Sequence, residues 1–180
     1  ADFPVVEWTV TLRNAGTTDT PLIEGLQGLD SRFGPRVQDG FVLHHNVGSP
    51  CQPNDYQPLE TPLGPVVHKR IGAAGGRPTN GDLCYFNLEW PGAGVIIALG
   101  WPGQWAAHFL REDGAGVRVV AGQEQTHFVL HPGEQVRTPL VVLLFWEGGD
   151  WIRAQNLWRR WMMAHSMPDV GGKPIETHYG

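Results

Sequence analysis

The sequence of 180 residues contains little positive charge, little cysteine and no long apolar run. Its 13 lysine and arginine residues are outnumbered by 18 aspartates and glutamates, which gives a net charge of −5. A chain without a basic run lacks the electrostatic footprint that proteins use to bind nucleic acid or an anionic membrane. No apolar run approaches the about 20 residues of a membrane-spanning helix, and the first residues lack the charged-then-apolar pattern of a signal peptide. These absences favour a neutral ligand over nucleic acid or a membrane.

The two cysteines and the paired histidines do not form a metal-binding pattern. Cys51 and Cys84 lack the spacing of a metal site, so they either pair in an oxidising compartment or are small, buried thiols. His44 and His45 are neighbours on a predicted strand and therefore point to opposite faces, so at most one of them joins any site. We expect no metal and no cofactor. The compartment stays open between cytoplasmic and secreted or periplasmic.

Turn-forming and aromatic residues dominate what is present. The chain has 24 glycines, 15 prolines and eight tryptophans, and 41% of its residues are apolar. This apolar content argues against disorder, and the length suits one domain with a sizeable core. The glycine and proline excess is typical of many short strands joined by turns, which predicts an all-β sandwich or barrel.

The first strand is predicted over residues 5–12, where apolar and polar residues alternate and place Val6, Trp8 and Val10 on the buried face. A hairpin is expected to connect it to a second strand that ends before Gly34. Further strands are predicted at residues 41–45, 83–90, 95–99, 105–110, 117–121, 127–130 and 136–145.

The pattern changes at Asp150. Apolar residues from Trp151 to His165 recur at helical spacing, and Asp150 can cap the N-terminus, so one amphipathic helix is predicted there. The expected organisation is a β-sandwich over residues 1–148, the helix on or beside it over 149–166, and a linker or tail over 167–180.

Two loops hold candidate binding residues. The proline-rich stretch 48–64 carries Asp55 and Tyr56, and a carboxylate there can accept two hydrogen bonds from vicinal sugar hydroxyls. Alternatively, Asp55 only satisfies the backbone of its own turn. The glycine-rich stretch 72–81 carries Arg77, which either contacts a ligand or orders the loop by pairing with an acid.

Trp101 and Trp105 flank a Pro-Gly turn, where at least one indole is expected to face solvent. An exposed indole can stack on a sugar ring or on a neighbouring domain, whereas two buried indoles would serve only the core. His44 completes the candidate substrate-binding set.

Catalysis by the chain alone requires two carboxyl groups held about 5 to 9.5 Å apart across a cleft. Candidate carboxylates are available, but their convergence does not follow from the sequence: Asp55, Asp82, Glu89, Glu124, Glu134 and Asp150. The sequence contains no G-x-S-x-G nucleophile elbow. Catalytic residues therefore stay unassigned.

A family resemblance runs along most of the chain. It is carried by the order and spacing of several segments: Val6-Glu7-Trp8, Asp30, Phe41-Val42-Leu43-His44-His45, Asp55-Tyr56-Gln57-Pro58, Leu99-Gly100-Trp101-Pro102-Gly103-Gln104-Trp105, Gln123 to His127, Pro132 to Pro139, the helix to Arg160, and Pro168 to Pro174. Together they resemble the N-terminal β-supersandwich domain of alpha-galactosidase-like glycoside hydrolases, family 36 and its relatives.

The resemblance implies an antiparallel, galactose-mutarotase-like supersandwich that precedes a (β/α)8 barrel. In such enzymes the barrel carries both catalytic aspartates, and loops of the sandwich help to wall the sugar pocket. The resemblance therefore implies a role near the substrate for the loop of Asp55 and Tyr56. It also implies an interface role for Trp101, Trp105 and the terminal helix.

Three functions compete at this point. The first is a non-catalytic domain that frames or binds a galactoside-type sugar and docks on a barrel absent from these 180 residues. The second is a complete small glycoside hydrolase with paired carboxylates near Asp55 and Glu124. The third is a structural domain that forms a homo-oligomer through an exposed apolar face. The expected partners are a carbohydrate and a catalytic barrel in a longer chain.

Overall fold

A computed structural model describes residues 3–36, 40–112 and 116–174 of the chain. It contains one helix, α1 (Trp151–His165), among the described residues. The strands in chain order are β1 (Val5–Trp8), β2 (Thr11–Arg13), β3 (Ile23–Glu24), β4 (Gln27–Phe33), β5 (Val42–Asn46), β6 (Pro58–Pro62), β7 (Val67–Gly72), β8 (Tyr85–Trp90), β9 (Ala93–Gly100), β10 (Trp105–Arg111), β11 (Val117–Gln123), β12 (His127–Phe128), β13 (Gln135–Arg137), β14 (Leu140–Glu147), β15 (Asp169–Val170) and β16 (Lys173–Pro174).

Two antiparallel sheets form the body of the protein. The larger has six strands in the order β1-β14-β9-β8-β5-β6, and the smaller has four in the order β4-β11-β10-β7. Three two-stranded ribbons pair β12 with β3, β13 with β2 and β15 with β16. The prediction of an all-β, antiparallel sandwich with one C-terminal helix is confirmed.

The main core lies between the two sheets. Both sheets contribute fully buried side chains to it, among them Leu43 and Leu88 from the larger sheet and Phe109 and Val119 from the smaller one. Side chains alternate across each strand, so every second residue points into this layer. The arrangement gives the sandwich one continuous apolar interior.

The six-stranded sheet is covered on its other face by α1. Ile96 on β9 and Leu144 on β14 point to the helix, where they pack with Trp158 and Trp161. Because β9 and β14 are buried on both faces, their sequences read as continuous apolar runs instead of alternating patterns. The protein therefore has three layers: the small sheet, the large sheet and the helix.

The predicted helix is confirmed. It begins at Trp151, and the Asp150 carboxylate accepts a hydrogen bond of 2.8 Å from the backbone N–H of Arg153. Its buried residues are Ala154, Trp158 and Trp161. Aromatic residues at helical spacing thus face the sheet, as expected from the pattern.

The prediction for residues 5–12 is wrong in two respects. The segment forms two strands in different sheets, β1 in the large sheet and β2 in a ribbon. Trp8 packs on the main core as expected, but Val6 is 54% exposed and Val10 is 46% exposed. Val6 lies on β1, the edge strand of a six-stranded sheet whose partner sheet has only four strands, and Val10 lies in the connection between β1 and β2.

The expected hairpin between the first two strands is also wrong. β1 pairs with β14, and β4 pairs with β11, so both early strands find their partners far along the chain. The predicted loop 48–64 is shorter than expected, because residues 58–62 form β6 at the edge of the large sheet. An edge strand tolerates Pro58 and Pro62, because proline has no backbone N–H to donate and one side of an edge strand has no neighbouring strand to pair with.

Within residues 3–36, 40–112 and 116–174, no helix has the length and hydropathy that crossing a membrane would require. The part of the predicted tail at residues 175–180 lies outside the described residues.

Candidate functional site

Three connecting segments meet at one end of the sandwich. They are the β5–β6 connection (residues 47–57), the β7–β8 connection (73–84) and the β9–β10 connection (101–104). The backbone N–H of Ser49 donates to the carbonyl of Thr79 at 2.7 Å, which joins the first segment to the second. We call this end, with Glu124 at the end of β11, the loop end.

Gln104 joins the remaining segments of the loop end. Its amide nitrogen donates to the Ala73 carbonyl and to the Glu124 carboxylate, each at 2.7 Å, and its amide oxygen accepts from the Gly76 N–H at 3.0 Å. Every polar atom of this side chain therefore serves the loop architecture. This role of Gln104 could not be predicted, because a glutamine after a Pro-Gly turn carries no distinctive signal in the sequence.

Asp55 lies in the first segment, and its carboxylate is used within its own loop. One oxygen accepts from the Ser49 hydroxyl at 2.7 Å, and the other accepts from the Gln52 N–H at 2.9 Å. Hydrogen bonds from the Gln52 backbone and the Ser49 side chain lower the pKa of Asp55. The alternative in which Asp55 orders its own turn is thus found. The Cys51 backbone also donates to this carboxylate, and three hydrogen bonds leave it with part of its acceptor capacity.

Tyr56 is a large aromatic residue of this segment and is 58% exposed. Its backbone lies in the left-handed region with φ of 64°, an uncommon conformation for a residue with a side chain. The Tyr56 N–H donates to the Gly48 carbonyl, and the Tyr56 carbonyl accepts from the Asn46 amide at 3.1 Å. These bonds fix the strained backbone and leave the ring in solvent.

Arg77 lies in the second segment and is exposed. Its guanidinium donates to the Asn80 side-chain oxygen at 3.1 Å, a contact between two residues of the same loop. Asn80 in turn donates to the Ala74 carbonyl. The expected pairing of Arg77 with an acid is replaced by this amide contact, which orders the loop in the same way.

The two tryptophans of the third segment have different environments. Trp105 is 0% exposed, packs beside Phe86 and donates from its indole to the Pro78 carbonyl at 2.7 Å. Trp105 thus has the environment of the alternative in which an indole serves the core. Trp101 is only partly buried, and the Arg137 guanidinium lies 5.5 Å from its ring centroid. It is the indole with an exposed surface.

Carboxylates at the loop end are held in their ionised form. Burial raises the pKa of Glu124, but hydrogen bonds from Arg70 and Gln104 outweigh it and leave the pKa below its ordinary value. Burial likewise opposes ionisation of Asp82, yet His45 and the Gly72 N–H lower its pKa overall. A general acid in glycoside hydrolysis needs a raised pKa. These groups are suited to accept hydrogen bonds, not to donate a proton.

His44 lies away from the loop contacts, beneath the start of α1. Its ring stacks on Trp151 with centroids 4.3 Å apart, and its Nε2 lies 2.7 Å from the Glu89 carboxylate. His45 turns to the other face, where its Nε2 lies 3.0 Å from the Thr61 hydroxyl. The two imidazoles thus point to opposite faces, as predicted. In the described part of the chain, no three metal-ligating side chains are grouped.

Both cysteines are free thiols in the structure, and Cys84 is partly buried. The expectation of a buried thiol is wrong for Cys51, which is exposed in the β5–β6 connection. Burial raises the pKa of the Cys84 thiol, which makes it a weak nucleophile.

Comparison with solved structures finds the same fold in alpha-galactosidases. The galactosidase domain of an alpha-galactosidase–sucrose kinase, AgaSK, matches 81% of this chain at 18% identity, with a TM-score of 0.67. The GH36 alpha-galactosidase AgaA from Geobacillus stearothermophilus, solved with raffinose, matches 82% at 16% identity, with a TM-score of 0.63. The alpha-galactosidase from Lactobacillus brevis matches 89% at 14% identity, again with a TM-score of 0.63.

These matches cover most of this chain but little of the other proteins. The chain spans 20% of the AgaSK galactosidase chain and 21% of the other two. No protein-family model and no curated protein matches the sequence. The predicted resemblance is therefore confirmed at the level of the fold: this chain shares the fold of one portion, about a fifth, of GH36 alpha-galactosidases.

Proposed function

We propose that this chain is the non-catalytic sandwich domain of an alpha-galactosidase-like glycoside hydrolase, which frames or binds a neutral, galactoside-type sugar at its loop end and docks on a catalytic barrel. The observation that carries the proposal is the fold, which covers about 80% of this chain and about 20% of alpha-galactosidases. A domain that makes up about a fifth of the alpha-galactosidase chains leaves room for a separate catalytic unit in those longer proteins.

The chemistry of the loop end supports contact with a neutral sugar. Tyr56 and Trp101 present aromatic surface, on which the apolar face of a sugar ring can stack. Asp55 is ionised and keeps acceptor capacity for hydroxyl groups. Arg77 is an exposed donor on the β7–β8 connection, which the Ser49–Thr79 hydrogen bond joins to the segment of Asp55. Aromatic surface with a few placed polar groups is typical of small-molecule sites.

The ionised carboxylates favour a framing role over hydrolysis by the chain itself. Asp55, Asp82 and Glu124 each have a lowered pKa. Hydrolysis would need one carboxyl group that stays protonated near neutral pH. We therefore give these three residues the roles of acceptors and loop supports.

The outer face of α1 is the proposed docking surface. Ile152 is 54% exposed and Met163 is 58% exposed, on a helix whose opposite side is packed on the large sheet. Arg159 lies between them on the exposed side. Large apolar side chains that remain exposed on a covering helix are suited to a neighbouring domain. Trp105 has no part in docking, because it is buried.

The test uses the purified 180-residue chain with galactose, methyl α-galactoside and a panel of nitrophenyl glycosides. We expect sugar-dependent tryptophan fluorescence without release of nitrophenol. Tyr56→Ala and Trp101→Ala should abolish the fluorescence response. Phe145→Ala is the matched control, because Phe145 is 41% exposed and its strand pairing places it away from the Trp101 end of β9.

Each other outcome bears on the proposal directly. Turnover that persists through repurification would overturn the non-catalytic role and make Asp and Glu pairs the next targets. An unchanged response in Tyr56→Ala and Trp101→Ala would remove the loop end from sugar contact. Absence of both response and turnover would reject sugar binding by the chain alone.

A further inference from the structure

A groove lies along one side of α1, at the end of the sandwich opposite to the loop end. Its volume is about 600 Å³, within the range of sites for small organic ligands. Its walls come from the segment before β1, the ends of β8 and β14, the start of β9, and α1. We call it the helix-flank groove.

The helical wall of the groove carries two arginines. Arg153, Leu157 and Arg160 line the groove from α1. Positions i, i+4 and i+7 of a helix lie on one side, and this side flanks the stripe of Trp158 and Trp161 that is buried on the large sheet. Since a helix rises about 1.5 Å per residue, the two arginines are about 10 Å apart along its axis. The wall therefore has two cations with an apolar side chain between them.

Neither arginine has a partner among the residues that the structure describes. Both are exposed, and neither guanidinium makes a hydrogen bond or an ion pair in that part of the chain. Arg70 and Arg118, by contrast, pair with Glu124 and Asp30. Because the whole chain has a net charge of −5, the two arginines form a local excess of positive charge in an acidic protein.

One carboxylate, that of Glu147, also lines the groove. Side chains alternate along β14, so Glu147 shares a face with Phe145, whereas Trp146 points to the face that α1 covers. Glu147 is exposed, and in the described part of the chain it forms no ion pair with Arg153 or Arg160. Two cations and one anion leave the groove with a net positive charge, which favours an anionic ligand.

The wall that faces the helix is apolar. It includes Pro4, Trp90 and Phe145, and Phe145 is 41% exposed. Trp146 also lines the groove, but its indole N–H already donates to the Asn87 side-chain oxygen at 2.9 Å. The side-chain donors that remain are the two guanidiniums and the Trp90 indole, against the single carboxylate of Glu147 as acceptor. Such a site matches a ligand with an accepting group on an apolar body.

We propose that the helix-flank groove binds a compact amphipathic carboxylate, a small molecule with one acid group on an apolar body. The acid group pairs with the guanidiniums of Arg153 and Arg160, and the apolar body lies against Leu157, Phe145 and Trp90. A guanidinium presents parallel N–H donors that fit the two oxygens of a carboxylate. The proposal is independent of the sugar role of the loop end, because the two sites share no residue.

The experiment titrates the chain with 4-phenylbutyrate, 4-phenylbutyramide and 4-phenylbutylamine, followed by indole N–H signals in NMR spectra. The three probes share one apolar body and are anionic, neutral and cationic, respectively. We expect 4-phenylbutyrate to shift the Trp90 and Trp146 indole signals in a saturable manner and to leave that of Trp101, at the loop end, unchanged. The amide should bind about tenfold more weakly, because it forms no ion pair. The amine should bind more weakly still.

The double variant Arg153→Gln/Arg160→Gln provides the test by mutation. Both positions are exposed and glutamine is a good helix former, so the fold should be retained. We expect the variant to bind 4-phenylbutyrate about tenfold more weakly, as the loss of two exposed ion pairs implies. Arg13→Gln/Arg159→Gln is the matched control: it also removes two exposed positive charges, one on β2 and one on α1 outside the groove. It should bind 4-phenylbutyrate like the original chain.

Three results would overturn the proposal. One is binding of the amide or the amine as tight as that of 4-phenylbutyrate, which would make the acid group irrelevant. Another is an equal loss of binding in the two double variants, which would indicate a general charge effect. The third is no saturable shift at the Trp90 and Trp146 indoles with 4-phenylbutyrate, while circular dichroism shows that the chain is folded.

Discussion

Among single residues, burial separates the two tryptophans that the sequence presents as a pair. Trp105 is fully enclosed between the sheets, and its indole satisfies the Pro78 carbonyl of the neighbouring loop. Trp101 is only half-buried at the edge of the same core. A ring that fills the core and one that covers its rim should differ in their contribution to folding.

Truncation of each ring should reveal this difference. We expect Trp105→Ala to lower the free energy of unfolding by about 3–5 kcal/mol, because it leaves a cavity and an unpaired carbonyl. Trp101→Ala should cost about 1 kcal/mol, the range of a partly exposed site. Urea unfolding followed by circular dichroism measures both. Equal costs would contradict the assignment of Trp105 to the core.

Asp82 makes folding sensitive to acid. Burial opposes ionisation, but His45 and the Gly72 N–H outweigh it and hold the pKa of Asp82 below its ordinary value. Because the folded pKa lies below the unfolded one, the stabilisation is full above the unfolded pKa of about 3.9 and is lost as pH falls through the folded pKa. The effect therefore belongs to the range below about pH 4.

Asp82→Asn should flatten this part of the stability curve. Asparagine can still accept from the Gly72 N–H but has no proton to take up in this range. We expect Asp82→Asn to lose less unfolding free energy than the original chain between pH 5 and pH 3, as measured in urea titrations. Asp113→Asn is the control for the loss of one negative charge, since it removes the same charge at a position outside the described residues. If the stability of Asp82→Asn fell with pH in parallel with that of the original chain, other carboxylates would be responsible for the loss of stability in acid.

At the level of the elements, α1 depends on its cap. The Asp150 carboxylate accepts from the Arg153 N–H, which is one of four donors at the helix start that lack a partner within the helix. We expect Asp150→Ala to lower the unfolding free energy by about 1 kcal/mol. Asp150→Asn keeps the accepting oxygen and should cost only a few tenths of that. Thermal unfolding of both variants measures the difference, and similar losses would assign the effect to charge instead of the hydrogen bond.

The elements differ in how well their sequences predict them. α1 was predictable because Asp150 and the spacing of Trp158 and Trp161 agree on one helix. The strands β9 and β14 were predictable as strands, since apolar runs of that length are typical of buried strands. Local patterns do not identify partners, however, and β1 pairs with β14 across most of the chain. Exposure of Val6 depends on this pairing, so it could not follow from alternation alone.

The candidate site was predictable to the level of its loops. Their content of glycine, proline and polar residues indicates exposed connections, and the structure brings those of Asp55, Arg77 and Trp101 to one end. The role of Gln104 as the connecting side chain depends on contacts with residues 28 to 31 positions before it, and with Glu124, 20 positions after it. No local pattern encodes such contacts.

For the whole molecule, the large sheet is shared by two cores. Leu143 points to the small sheet, while its neighbour Leu144 points to α1, and the same alternation holds for Ile97 and Ile96 on β9. Neither core can therefore be lost without disturbing the strands that hold the other. This geometry favours one cooperative unfolding transition over separate melting of sandwich and helix.

We expect Phe109→Leu in the main core and Trp158→Phe under the helix to shift the same transition. Each should lower the unfolding free energy by about 1–3 kcal/mol, and far-ultraviolet dichroism and tryptophan fluorescence should give coincident curves. Phe109 is 0% exposed and Trp158 is 6% exposed, so both replacements act within packed interiors. An early fluorescence change in Trp158→Phe, with the sheet signal intact, would instead mean that α1 unfolds as an independent layer.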